Sequence, residues 1–320
     1  VLVSQKTSFL FTAREVQLIS HTLDVKGVEV MGGQLPSDFQ ESFTVSRRVL
    51  TGMIQIIDGI IAGAVEHPSA PPNLIKGFSK RPATKRVFPA MLQALGSSSN
   101  TLLRLSDEPG LQSRDCFSIC RSIVELSVNV CYICAEGESA AIRAERHAQQ
   151  KAVRDLDRKS SIGEQTIHLR FADIDTSNMP DELEKSINEF TSRSGREKGW
   201  INLSIDARCE KVGEVLGPKI LTPLHWARFA VYRHSSEILH GTFFSAVFFM
   251  GLTDPKGPPK SLNKWIEQIA SQHLMVLMAT VLALVAVAKA VAATVSIPEI
   301  DSQAEQHIQD LRTAPFFSER

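Results

Sequence analysis

Apolar residues recur along most of this chain at intervals of three and four and hardly anywhere alternate strictly, which predicts helices of 3.6-residue period and almost no sheet. The stretch "SRRVLTGMIQIIDGIIAGAV", 46–65, sets Val49, Met53, Ile56, Ile57, Ile60 and Ala64 on one stripe and is stopped by "HPSAPPN", whose prolines remove amide donors. Further helices are predicted over 84–105, with Pro89 near the start, over 111–135, and over 139–159, the last charged enough to present a solvated face. "SSIGEQTIHLRFADIDTSNMP" reads as an irregular connection holding a short extended piece at 166–171. A helix then starts after Pro180, with Asp181 placed to serve its unpaired amides. Glycines and charges in "RSGREKGW" break the pattern before helices resume at 203–216 and from Pro223 through to Phe249.

"GLTDPKGPPKS" is dense in Gly and Pro and reads as a linker, followed by a long helical run over 262–295, Pro298 and a short charged helix. The expected architecture is all-α: a multi-helix bundle over 41–250, an N-terminal extension with a short helix over 1–40, the linker at 251–261, and a C-terminal helical hairpin over 262–320 packed back on the bundle. One segment admits two readings. "LMVLMATVLALVAVAKAVAATV", 274–295, is long enough to span a bilayer, yet it is mostly Ala and Val and contains Lys289, where a charge in lipid is costly. A buried central helix is the first reading and a membrane anchor the second.

Composition narrows the field without naming an activity. Across 320 residues, 43% hydrophobic and 22% charged content is that of an ordinary globular chain, and 35 basic residues balance 35 acidic ones. With no global field to steer the molecule toward a polyanion, any RNA or nucleotide site must be local. "VLVSQKTSFLFTA" lacks the pattern of a secretory signal, so a cytoplasmic location is expected. Five cysteines point to reduced thiols. Cys116, Cys120, Cys131 and Cys134 fall on one helix as two pairs about 20 Å apart, too far to close on one zinc ion, and share a face as buried small hydrophobes do. No P-loop, dinucleotide fingerprint, nucleophile elbow or zinc-protease motif occurs, so no cofactor or metal is expected.

Two polar stripes carry what chemistry there is. In "YRHSSEILHG" the helical spacing places Arg233, Ser236, Glu237 and His240 on one face, with Tyr232, Ser235 and His234 beside it. On the 111–135 helix Arg121, Glu125, Asn129 and Tyr132 form a second stripe opposite the cysteines, with Arg121 and Glu125 spaced to satisfy each other. The expectation is that the two stripes meet, either as a catalytic pocket or as a polar seam that fixes helix register. His225 beside Trp226 reads as structural, and His147 and His168 as isolated side chains.

The run "CRSIVELSVNVCYI", then Trp200, "DARCEKVG" and "YRHSSEILHGT", resembles a family of uncharacterised helical bacterial proteins with an Arg and a Glu on an early helix and Tyr-x3-Ser-x3-His on a late one. The matching positions here are Arg121, Glu125, Tyr232, Ser236 and His240, and the likeness spans about 45–250. It implies a helical fold and no established activity. A weaker resemblance is to the HEPN superfamily, whose signature Arg followed by His is met at its long limit by Arg233, His234 and His240. That likeness implies a metal-independent ribonuclease of a defence or toxin system, working as a homodimer, with His240 as acid or base and Arg233 stabilising phosphoryl charge.

Overall fold

In the computed structural model, residues 35–107, 110, 112–155, 157–170, 180–249, 259 and 261–318 are described. The expected N-terminal helix and most of the Gly/Pro linker lie outside these residues. The chain forms α1 (Ser37–Ala64), α2 (Pro72–Ser79), α3 (Pro82–Leu105), α4 (Ser113–Glu136), α5 (Glu138–Asp155), β1 (Asp157–Ile162), β2 (Gln165–Arg170), α6 (Asp181–Glu189), α7 (Ile205–Leu216), α8 (Pro218–Leu239), α9 (Phe243–Phe249), α10 (Leu262–Val295) and α11 (Pro298–Arg312). The fold is an all-α multi-helix assembly with one small hairpin.

Helix α1 begins nine residues before its apolar stripe suggests. Pro36 stands at its N-cap, and Phe43 and Val45 extend the buried face backward. Helix α3 starts at Pro82 with no cap of its own. The carboxylate of Glu138 supplies one from α5, accepting from the Ala83 and Thr84 amides at 2.7 and 3.0 Å. Pro180, not Asp181, is the N-cap of α6; Asp181 is its first residue and joins Glu182 and Glu184 in an acidic first turn, which suits the positive end of the helix.

The charged helix after α4 stops at Asp155, short of the expected 159, because β1 pairs antiparallel with β2 through a two-residue turn at Gly163 and Glu164. Gly163 has φ +61, the left-handed value such turns require.

Helix α10 packs against α4, α8 and α1, and α11 folds back over it. Buried residues from Phe43 to Ala314 form one continuous core, so α10 is a central strut of the bundle rather than an appendage. Its many Ala and Val side chains let neighbouring helices approach closely, and Leu277, Val281, Leu284 and Val287 are all fully buried. Its one charged residue within the apolar run, Lys289, is 3% exposed and is met by Glu305 at 2.7 Å and Asp301 at 3.4 Å, both from α11. Two helices among the described residues, 113–136 and 263–295, are long and apolar enough to cross a membrane, and most of each one's apolar window is buried inside the protein.

Candidate functional site

The two polar stripes touch where α4 crosses α8. Arg121 Nε donates to Glu125 Oε1 at 2.8 Å, and its Nη2 donates to the Tyr232 hydroxyl at 3.3 Å. The guanidinium lies 4.4 Å from the centre of the Tyr232 ring, and a second, that of Arg228, lies 5.3 Å from it. Arg228 is in turn paired with Asp206 of α7 at 2.5 Å. Burial opposes the charge on Arg121, but the Glu125 carboxylate and Tyr232 more than offset it and raise its pKa. Farther along α4, Asn129 Oδ1 accepts from Arg208 of α7, and Tyr132 meets Trp200 edge to face at 6.3 Å. Two arginines, two carboxylates and one tyrosine therefore close into a charge-balanced cluster.

The remaining candidates lie elsewhere. Helix α8 starts at Pro218, earlier than expected, and ends at Leu239, so 223–249 is not one helix. His240 is the C-cap, and Gly241, at φ +62, turns the chain into α9. As a result His240 is an exposed residue at a helix end, and Arg233 is exposed on the side of α8 away from the core. The pocket expected to unite Arg233, Ser236, Glu237 and His240 with Arg121 and Glu125 is corrected accordingly: only Tyr232 of the late stripe reaches the Arg121 pair. Glu237 is half-buried and accepts from Thr242 Oγ1 at 2.8 Å, a local clasp over the turn. Ser236 is half-buried, while Ser235 is sealed and donates to the Val231 carbonyl at 2.7 Å.

His234 is held between rings: Phe248 stacks on it at 4.5 Å and Phe117 meets it edge on at 6.3 Å. Burial, and secondarily the charge of Arg233, lowers its pKa, so the ring is neutral near pH 7. His225 and Trp226, expected to be structural, are exposed.

All five cysteines are buried and unbridged. Burial pushes the thiols of Cys116, Cys120 and Cys134 up to about 12 and Cys209 to about 11, which leaves them protonated and poor nucleophiles. No group of three His, Cys, Asp or Glu side chains suited to a metal ion occurs among the described residues. Two surface grooves of about 500 Å³ each are present. One runs between α4, α5 and the Trp200 segment, with Tyr132, Arg143, Arg146 and Glu189 on its walls; the other lies between α1, α2 and α11 and includes His307. Neither is lined by Arg233, Ser236, Glu237 or His240.

Sequence reasoning missed Arg228 and Asp206 as members of the cluster and Arg208 as the partner of Asn129. Asp206 and Arg208 sit in "DARCEKVG", between the two stripes in sequence, and that position was the available signal.

A family model described as a family of unknown function, DUF5677, matches residues 91–258, just over half of the chain. No curated protein and no solved structure matches. The match begins within α3 and carries the α4–α7–α8 cluster, leaving α1, α2, α10 and α11 outside it. The chain, whose Arg121, Glu125 and Tyr232 all fall within the matched segment, belongs to this family of unknown function, DUF5677.

Proposed function

We propose that this protein is a non-catalytic helical scaffold and binding module in which the Arg121–Tyr232 cluster fixes how α4, α7 and α8 meet. The observation that carries this reading is charge balance. Each arginine at the Tyr232 ring has its own carboxylate, Glu125 or Asp206, so the cluster carries no excess positive charge to draw in a phosphate, although Arg228 Nε is buried without a partner. A charge-paired network between helices penalises other registers more than it adds stability. His234, two residues along the chain from Tyr232, is stacked under Phe248.

A double-mutant cycle tests the reading. Arg121→Ala and Tyr232→Leu should each destabilise by about 1–2 kcal/mol, with a coupling of about 1 kcal/mol, because the cation–ring contact is only partly desolvated. Urea unfolding measures both. Purely additive effects, or wild-type stability in both variants, would count against the cluster as a structural device.

A second reading, a ribonuclease of the HEPN kind in a defence or toxin system, is favoured by one observation: Arg233 on α8 and His240 at its C-cap are both exposed. Cleavage of RNA by the wild-type chain, lost in a His240→Ala protein of unchanged stability, would establish it in place of the first.

For location, we infer that α10 serves as a core helix and that the protein works in the cytoplasm. The support is the engagement of Lys289 by Asp301 and Glu305, which gives the charge partners within the fold instead of in lipid. Extraction from cells only with detergent would overturn this in favour of a membrane anchor.

A further inference from the structure

Of the large aromatic side chains exposed among the described residues, all but Phe316 sit on α8 and α9: Trp226, Phe229, Phe243 and Phe244. Phe229 is 72% exposed and Phe243 71%, high for rings with no function on a surface. Trp226 and Phe229 already meet edge to face at 5.9 Å, making one rigid apolar knob. At 200 Å² or so per ring, the Trp226–Phe229 pair exposes about 250 Å² of aromatic surface, and Phe243 and Phe244 expose about as much again on α9.

On α8 the outward stripe has an aromatic half, His225, Trp226 and Phe229, followed by a polar half, Arg233, Ser236 and Glu237. The two halves are spaced symmetrically about position 231. An identical helix laid antiparallel across it therefore sets Phe229 against the partner's Arg233 at the centre of the seam, with Trp226 and Ser236 flanking that contact. The central contact is favourable, a cation on a ring, and it occurs twice, as a two-fold interface requires.

We propose that this face pairs with a second copy of the chain, forming a homodimer through α8 with α9 at its rim. The charge pattern selects this occupant over a polyanion. The chain has no net charge to keep copies apart, and the stripe offers only Lys219 and Arg233 as exposed fixed cations, against the roughly six to ten phosphate contacts of a strong nucleic-acid site. The proposal stands apart from the scaffold reading, since the Arg121–Tyr232 cluster ties α8 to α4 and α7 within one chain, whereas Phe229 and Arg233 are exposed.

Sedimentation velocity over a dilution series tests it. The wild-type chain should show a monomer–dimer equilibrium, weakened at least about tenfold by Phe229→Glu, where a charge replaces the ring at the interface centre. Circular dichroism checks that the variant is folded; should it misfold, Arg233→Glu at an exposed position takes its place. Register is tested by mixing Phe229→Cys with Arg233→Cys chains under mild oxidation. The mixture should cross-link far more than either chain alone, the native thiols being buried. A wild-type chain monomeric at every concentration, a dimer indifferent to both charge substitutions, or a monomer that instead binds single-stranded RNA or anionic vesicles through Phe229 would overturn the proposal.

Discussion

Helices α8 and α10 lie side by side in the bundle and handle polarity in opposite ways. Helix α10 is covered on nearly all sides, so its few polar groups are either answered, as Lys289 is, or left without a partner, as His273 is. Helix α8 has one edge in the core, one in the Arg121 cluster and one in solvent, and its polar residues sort among the three by small differences in angle. Tyr232 and Arg233 are neighbours in sequence, yet one is clamped between guanidinium groups and the other is exposed. For a helix buried all round, composition alone sets the energetics. For a helix with three environments, angle and end points decide.

The largest expected contrast follows from burial. Leu284→Ala on α10, at a fully buried position, should destabilise by about 2–5 kcal/mol, the transfer loss plus an unfilled cavity in a densely packed seam. Urea unfolding reads this directly, and a loss below about 1 kcal/mol would mean that α10 is far less tightly packed than its neighbours suggest.

A smaller effect tests the polar exception on the same helix. Both ring nitrogens of His273 are buried without partners, and the ring lies edge on to Phe43 at 5.7 Å. Burial first, and the charge of Arg47 second, depress its pKa to about 4. The unfolded chain takes up this proton near the ordinary 6.5 and the folded chain only near 4, so the unfolded state binds more protons between those values. Stability should be complete above pH 6.5, fall as pH drops through that window, and lose nothing more from this group below 4, with a total of up to about 3 kcal/mol. In His273→Leu the decline over the same window should shrink sharply. An unchanged pH profile would show that the ring is hydrated in solution.

Much of the fold was legible in the chain because its helices are long and apolar on a regular period. The span of α10 follows directly from its pattern, and α4 and α7 from theirs to within two residues. What was not legible depended on partners. Strand β2 was legible as the short extended piece expected at 166–171, but β1 was not: Lys159 and its neighbours look as helical as the segment before them, and pairing with β2, not propensity, makes the strand. The stripes on α4 and α8 were readable as polar faces, and the Arg121–Glu125 pair followed from spacing alone. The role of His240 was not, because it turned on whether α8 continued past Leu239. Gly241, two residues on, turns the chain there, and a glycine within a helical pattern does not by itself reveal that.

The smallest effect is the sharpest test of how α8 divides its sides. Arg233→Ala, measured in solution dilute enough to exclude self-association, should shift unfolding free energy by no more than about 0.5 kcal/mol, since the side chain is exposed and its removal uncovers no buried partner. The residue before it is the control, because removal of Tyr232 strips a ring from between two guanidinium groups and leaves both less well held. If the Arg233 variant proved as destabilised as the Tyr232 variant, the outward edge of α8 would be part of the packed structure. Its aromatic side chains would then belong to the fold of one chain rather than to an interface, and the distinction between the two helices would reduce to degree.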